Sequence, residues 1–294
     1  MRKINHLYII GNGFDLYHGL PTNYGNFRDY VKEHDAKLYD LVDKYFLYKT
    51  NSDFWSDFES NLGNFDDDLL REYGLNYLED YGCVNWRDAF HHDYQFELDS
   101  VIDKITQGLH QSFVGWLSQI SFNGVNKQAI TLEKDAYYLT FNYTRTLEKV
   151  YNIPRQNILH IHGTYMGNKN DEIIYGHGGR LYTIDNGIED PRIKEGERII
   201  KDYFDTTAKP VKQIIHKYRK FFYKMVIDVT NVTIIGHSMN EIDYPYFRRL
   251  FNSIKNSVNW TCYYHSIQDI EKCIKRIDYR LRYKRDKIHI LPYP

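Results

Sequence analysis

Six short apolar runs along the chain predict the strands of one sheet. Each run holds β-branched or aromatic residues and is bounded by polar residues or glycine. Short, nearly continuous runs of this kind are typical of strands buried on both faces of a parallel sheet. The predicted strands cover residues 6–10, 136–141, 158–161, 232–235, 260–264 and 288–291.

Between these runs, apolar residues recur with the spacing of amphipathic helices. One such helix is predicted near residues 36–48, and a longer stripe runs from Leu98 to Ile120. A third stripe runs from Ile267 to Leu281, and Ser266 is expected to cap that helix at its N-terminus. Most of the chain outside the strands is therefore predicted to be helical.

The order of these elements predicts an α/β fold. Strands that alternate with helices form a doubly wound, mainly parallel, Rossmann-like sheet. We expect residues 1–23 and 131–294 to form this core, with a large helical insertion at 24–130 after the first strand. A smaller helical insertion is expected at 185–228.

Composition narrows the class of protein. The 294 residues include 38 Lys and Arg against 39 Asp and Glu, and this balance argues against a protein that coats nucleic acid. Cys83, Cys262 and Cys273 are far apart, so no local disulfide framework or zinc module is predicted. The apolar run at 6–10 is too short to span a membrane. A cytoplasmic protein with no membrane partner is the expectation.

The loops after the first four predicted strands form one candidate site, because open parallel sheets bind ligands beyond the carboxyl ends of their strands. The first loop contains Gly11, Asn12 and Gly13, followed by Phe14 and Asp15. Glycines at this place let backbone N–H groups approach a phosphate. Two glycines after a strand also form plain tight turns, so both interpretations stay open.

The second and third loops carry an amide and two imidazoles. Asn142 either orients a ligand or turns the chain, and Thr144 is expected to cap the next helix. His160 and His162 lie two apart and could share a face of a strand, but no carboxylate accompanies them locally. A general base at His162 is therefore preferred to a metal site.

The fourth loop combines glycine with a small hydroxyl. Gly236, His237 and Ser238 follow the fourth predicted strand and suit a phosphate or a ribose. Asp243 is interpreted as a structural residue that caps the following helix.

Taken in order, these loops resemble the nucleotide site of the sirtuins. The similar segments are Gly11-Asn12-Gly13 with Gly19-Leu20-Pro21, Phe141-Asn142-Tyr143, His162-Gly163 and Gly236-His237-Ser238-Met239. Asp15 stands where sirtuins have serine, Thr144 stands where they have aspartate, and the four zinc cysteines of deacylating sirtuins are absent. The resemblance therefore implies cleavage of a nucleotide such as NAD rather than deacylation of proteins.

A second resemblance covers nearly the whole chain. The opening IIGNGFDLYHGLPTNYGNF, the Trp55-Ser56-Asp57-Phe58-Glu59 segment and the TFNYT, HIHG and IIGHSMNEID blocks are similar to the AbiH family of bacterial abortive-infection proteins. This resemblance implies a role in phage defence, with a phage-derived trigger that the sequence does not identify. Glu59 could reach the nucleotide loop from the helical insertion.

The two resemblances together imply hydrolysis of NAD, or of a related nucleotide, at its N-glycosidic bond without a metal. His162 would act as the base, Asn142 would orient water or the ribose, and Asp15 would stabilise developing positive charge. The nucleotide-binding residues would be Gly11, Asn12, Gly13, Phe14, Gly236, His237 and Ser238. The likeness to sirtuin-like defence proteins also implies a homo-oligomer.

Two other functions stay open. A module that senses a nucleotide without cleaving it would explain the departures at Asp15 and Thr144. A nucleic-acid-directed enzyme would explain two basic clusters, although charge runs on helices are more often solvated faces, and nucleic acid is the less favoured partner. The clusters are Lys212, Lys217, Arg219, Lys220 and Lys224, and Lys272, Lys275, Arg276, Arg280, Arg282, Lys284, Arg285 and Lys287.

Overall fold

The fold was established from a computed structural model that describes residues 4–46, 54–83, 90–125, 130–168, 172–255, 257–264 and 288–293. The strands are β1 (His6–Ile10), β2 (Tyr137–Thr140), β3 (Ile158–His160), β4 (Asn231–Ile235), β5 (Asn259–Tyr264) and β6 (Ile288–Pro292). The helices are α1 (Asn12–Tyr17), α2 (Tyr24–His34), α3 (Ala36–Tyr45), α4 (Phe58–Asn61), α5 (Asp67–Leu75), α6 (Phe90–Ser118), α7 (Thr146–Lys149), α8 (Pro191–Thr207), α9 (Val211–Lys217) and α10 (Tyr244–Ser253). The predicted helix at 267–281 and the second basic cluster lie outside the described residues.

The six strands form one sheet in the order β3-β2-β1-β4-β5-β6, and every neighbouring pair is parallel. All six predicted strands are present, and the Rossmann-like α/β fold class is confirmed. The strand order reverses at β1, which has β2 on one side and β4 on the other. Ligands of doubly wound sheets bind beyond the strand ends at such a point.

Alternate residues of each strand supply two separate apolar cores, one on each face of the sheet. Leu7 and Ile9 of β1 belong to one buried cluster. Tyr8 and Ile10 belong to the other, together with the ring of Phe14 from α1. The central strands are therefore buried on both faces, which explains why their sequences are apolar at nearly every position.

The chain divides into two compact units. The sheet unit comprises Met1–Asn23, Leu117–Ile174 and Pro210–Pro294. The helical unit comprises Tyr24–Trp116 and Tyr175–Lys209. An aromatic cluster fills the core of the helical unit, where Phe27 contacts Phe58 and Phe113 edge to face.

Two of the three helices predicted from apolar spacing lie within the described residues, and both are present. The periodicity near 36–48 corresponds to α3, which ends at Tyr45, and the long stripe corresponds to the 29-residue α6. Asp35 caps α3, since its side chain accepts a hydrogen bond from the Leu38 N–H. Within the described ranges, no helix combines the length and the apolar character that a membrane crossing requires.

Candidate functional site

The first and fourth loops are joined through their backbones. The Gly11 N–H donates to the Ile235 carbonyl at 3.0 Å, and the Gly13 N–H donates to the Gly236 carbonyl at 2.9 Å. A Cβ added to Gly236 would lie 2.3 Å from the Phe14 nitrogen, and Gly236 also has a φ of +65°. Glycine is required here for both reasons, because a side chain would separate the loops and strain the backbone.

Asn142 ties the second loop to the first. Its Nδ2 donates to the Gly11 carbonyl at 3.1 Å, and its own backbone N–H donates to Thr140 Oγ1 at 3.1 Å. The side chain is buried, and Oδ1 has no hydrogen-bond partner among the described residues. A buried acceptor of this kind costs free energy unless something donates to it, so Oδ1 is available to a ligand or a water.

Asp15 is hydrogen-bonded to the second loop and to the start of the helix that follows it. The side chain is fully buried, and its carboxylate accepts hydrogen bonds from Thr144 Oγ1 at 2.5 Å and Thr146 Oγ1 at 2.6 Å. Burial raises the pKa of Asp15 above its ordinary value, and the hydrogen bonds from Thr144, Thr146 and Asn142 oppose that rise without cancelling it. In this arrangement Asp15 fixes the shape of the loop.

Asp243 stands between two imidazoles. Its Oδ1 lies 3.8 Å from His162 Nε2, and its Oδ2 lies 3.5 Å from His237 Nε2. All three side chains are at least nine-tenths buried. His237 Nδ1 accepts the Met239 N–H at 2.8 Å, so the neutral ring carries its proton on Nε2, towards Asp243.

His160 belongs to a different environment from His162. Its Nε2 lies 3.1 Å from Glu148 Oε1, and its Nδ1 lies 3.4 Å from the Asn142 carbonyl. Burial alone would raise the pKa of Glu148, but the hydrogen bond and the charge of His160 bring that pKa below its ordinary value. This buried pair contacts the second loop through the Asn142 carbonyl.

A cavity of about 210 Å³ lies beside the second loop. Its lining includes Tyr143, Arg145, Lys149 and Tyr165, which together offer two cationic side chains and two aromatic rings. The Nε of Arg145 is buried and has no hydrogen-bond partner among the described residues, and the nearest Glu148 oxygen is 3.8 Å away. The chemistry of this cavity therefore suits an anionic ligand with a planar ring.

The sequence model of the family described as "Bacteriophage abortive infection AbiH" matches residues 7–264. The chain belongs to the AbiH family. The match spans all four loops of the candidate site, and membership of the family indicates a role in abortive infection by bacteriophage. No curated protein matches the chain.

The four loops of this AbiH-family chain lie together as the sequence predicts. Some of the residues assigned to nucleotide binding are exposed to solvent, and others are buried or already hydrogen-bonded within the protein. The N–H groups of Gly11 and Gly13 already donate within the protein, and the Phe14 ring is fully buried in the core. Asn12 is exposed, with its Nδ2 on the Thr22 carbonyl at 2.7 Å, and Ser238 is also exposed. The assigned catalytic and nucleotide-binding roles stay predictions.

Two interpretations from the sequence are corrected. Asp243 does occupy the N-cap position of α10, but its side chain makes no capping hydrogen bond and faces the two histidines instead. Thr144 does not cap a helix, because α7 begins at Thr146 after Arg145 and the Thr144 hydroxyl donates to Asp15. Thr144 pairs with Asp15, 129 positions earlier, and Asp243 faces both the distant His162 and the nearby His237.

The sequence did not point to Glu148, and it left the role of Glu59 open. Glu148 pairs with His160, which lies 12 positions later. The only local sign of an ion pair at Glu148 was its (i, i+3) spacing from Arg145. Glu59 belongs to the helical unit, where its carboxylate accepts hydrogen bonds from Lys209 Nζ and, at 2.9 Å, from Tyr24 Oη. These contacts give Glu59 a structural role within that unit.

Replacing Asp15 with asparagine should flatten the pH dependence of stability. Folding raises the pKa of Asp15, so the folded state is stabilised when this carboxyl is protonated. This stabilisation is complete below about pH 3.9, the pKa of aspartate in the unfolded chain. It is lost as the pH rises through the pKa of Asp15 in the folded protein. The variant lacks this loss. Urea unfolding between pH 4 and pH 8 should therefore show a shallower decline for Asp15→Asn than for the wild type. The same series on Asp29→Asn, an exposed carboxyl, serves as the control, and equal slopes in both variants would contradict the assignment.

Proposed function

We propose that this chain acts in abortive infection by hydrolysing the N-glycosidic bond of an NAD-type nucleotide. The observation that carries the proposal is the buried His162–Asp243–His237 set beyond the strand ends. The His162 ring centroid lies 6.4 Å from that of Tyr143, which lines the cavity with cationic and aromatic walls. A carboxylate between two imidazoles orients one ring and stabilises the charge on the other when that ring takes up a proton.

In the proposed reaction the bond between C1′ of the ribose and the nicotinamide nitrogen breaks, and nicotinamide leaves with the electron pair. Water forms the new bond to C1′ and passes a proton to His162, which yields ADP-ribose, nicotinamide and one released proton. Asp243, 3.8 Å from His162 Nε2, stabilises the imidazolium that forms. Proton transfer by a positioned base contributes roughly 10²- to 10⁴-fold to rate.

His237 is a positioning residue in this scheme. Its Nδ1 is fixed by the Met239 N–H, so its Nε2–H points to Asp243 Oδ2 at 3.5 Å and holds the carboxylate for His162. The loop that carries it is unusual, since Met239 has a φ of +52°. A non-glycine residue in this region costs on the order of 1–3 kcal/mol, and strained backbone is more frequent at functional sites.

The cavity would hold one part of the substrate. Its volume of about 210 Å³ is below the roughly 300–1,000 Å³ of pockets that enclose a whole drug-sized ligand. Arg145 and Lys149 would pair with the diphosphate, and Tyr143 or Tyr165 would stack on a ring of the nucleotide. Asn142 Oδ1 would accept a hydrogen bond from a ribose hydroxyl or the attacking water.

The first experiment measures both binding and turnover. Purified full-length protein is incubated with NAD, and the products are read by mass while binding is measured by calorimetry. Arg145→Ala should weaken NAD binding about 10- to 100-fold, because a charge-assisted hydrogen bond contributes roughly 1.5–3 kcal/mol. Arg155→Ala is the matched control, since Arg155 also lies near Glu148 but does not line the cavity.

The outcomes separate the candidate functions. Release of nicotinamide and ADP-ribose that depends on Arg145 supports the hydrolase. Calorimetric binding without products favours a nucleotide-sensing module, for which the near-complete burial of His162 and Asp15 is the supporting observation. Neither binding nor cleavage of NAD, ADP-ribose or ATP would overturn both.

A further inference from the structure

The outer face of α9 and of the turn that follows is densely basic. No Asp or Glu occurs from residue 206 to residue 227 of a chain whose overall formal charge is only −1. Phe221–Met225 forms a single π-helical turn, in which Phe221 and Phe222 are buried while Tyr223 and Lys224 are exposed. The apolar residues thus face the core, and the cationic ones face outward.

These cations line one groove of about 610 Å³ in the sheet unit. Lys212, Arg219, Lys220 and Lys224 are all exposed and contribute to its walls. Among the described residues, the carboxylate that reaches this cluster is Glu172, which pairs with Lys217 at 2.7 Å. The four lining cations have no carboxylate within ion-pair distance in the described part of the chain. Their positive charge is therefore available to bind an external anion.

Tyr223 places an aromatic ring among these cations. Its side chain is 50% exposed, and the guanidinium of Arg249 lies 3.5 Å from the ring centroid. Arg249 Nε is itself buried without a hydrogen-bond partner among the described residues, and the cation–π contact with Tyr223 is a favourable interaction for its guanidinium. The stack orders the Tyr223 ring, which lines the groove.

We infer that this groove binds single-stranded nucleic acid. Cations spaced along a groove follow the phosphates of a strand, and an exposed aromatic ring provides a face on which an unstacked base can lie. An anionic membrane fits this groove less well. Membrane-binding helices insert several large apolar side chains into the lipid. Among the described residues that line the groove, Ile215 is the single aliphatic one. The inference does not depend on the proposed hydrolase activity.

Fluorescence anisotropy tests the inference with the full-length protein and fluorescein-labelled 20-nucleotide dT, U and duplex DNA probes. We expect binding of the single strands that weakens with NaCl, with a log–log slope of about −0.7 per phosphate contacted. Replacing Lys220 and Lys224 together with glutamate should abolish binding at 150 mM salt. Preference for dT or for U distinguishes a DNA from an RNA ligand, and either supports the groove.

Tyr223→Ala separates stacking from general charge. It should weaken single-strand binding at least about five-fold while leaving the salt slope unchanged, since it removes a stacking ring and no cation. Tyr81→Ala is a matched control, because Tyr81 is 51% exposed and carries the Arg192 guanidinium 4.1 Å from its ring centroid but belongs to the helical unit. Lys37→Glu combined with Lys104→Glu controls for net charge at two exposed positions of that unit.

Cross-linking keeps the test decisive if a variant folds poorly. Wild-type protein cross-linked to a 5-iodouracil oligonucleotide should yield the adduct on a peptide containing Tyr223. No binding of any oligonucleotide at 50 mM NaCl would overturn the inference, as would equal losses in the patch and control variants. Binding to phosphatidylserine vesicles without binding to oligonucleotides would overturn it in favour of a membrane surface.

Discussion

Replacing His162 with glutamine should lower NAD cleavage roughly 10²- to 10⁴-fold, because the amide keeps a polar side chain of similar length but cannot take up a proton. The side chain is only 2% exposed and packs against the rings of Phe141 and Tyr246. Glutamine leaves a smaller cavity than alanine would, so loss of activity is easier to separate from loss of fold. Turnover is measured at saturating NAD, with thermal unfolding as the check on folding.

His6→Gln is the matched control for this experiment. His6 lies in the same unit at the start of β1, the opposite end of the strand from the four loops, and it bonds Thr233 Oγ1 at 2.8 Å. The control should cleave NAD at the wild-type rate. An unchanged rate in His162→Gln would remove the base from the proposed mechanism.

Asp243→Asn tests whether Asp243 acts through His162. The single variant should lose activity, and the double variant His162→Gln with Asp243→Asn should be no slower than His162→Gln alone. Residues that work as one unit are non-additive in this way, because the carboxylate has nothing to stabilise once the imidazole is gone. Fully additive losses would show that the carboxylate serves another purpose.

Replacing Lys209 with methionine should cost about 3–5 kcal/mol of unfolding free energy, because it leaves the buried Glu59 carboxylate without its cation. The Lys209 side chain is 1% exposed, and that of Glu59 is 11% exposed. Tyr24 donates one hydrogen bond to the same carboxylate, which offsets only part of the loss. Urea unfolding followed by tryptophan fluorescence measures the change, since Trp55 and Trp116 are buried in this unit.

Two comparisons sharpen this result. Lys201→Met breaks an exposed pair with Asp205 on α8 and should leave stability unchanged within error. Adding Glu59→Leu to Lys209→Met should recover most of the stability, because an apolar pair of similar volume often replaces a buried ion pair without loss. A Lys209→Met variant as stable as the wild type would show that the pair is not desolvated in solution.

The strands were predictable because burial on both faces leaves a strong trace in sequence. Runs such as Leu7–Ile10 are apolar at successive positions, and such runs end where glycine or polar residues begin. The strand order was not predictable in the same way, since it depends on which strands pair over distances such as Ile10 to Thr140. The convergence of the loops followed from the parallel sheet alone.

Side-chain partnerships were the part that sequence could not supply. Asp243 precedes a helix and is typical of a cap, yet its carboxylate faces His237 and also His162, which is 81 positions earlier in the chain. The Lys209–Glu59 pair spans 150 positions and has no local pattern at all. Local rules assign a polar residue to its nearest backbone, whereas a folded interior brings competing partners that satisfy it better.

The placement of β1 in the middle of the sheet has a consequence for synthesis on the ribosome. Its neighbours β2 and β4 begin only at Tyr137 and Asn231. At roughly 5–20 residues per second, the nascent β1 waits about 6–25 s before its first partner is made. An apolar strand exposed for that long is a target for chaperones and a risk for aggregation, so the yield of this protein should depend strongly on translation speed and growth temperature.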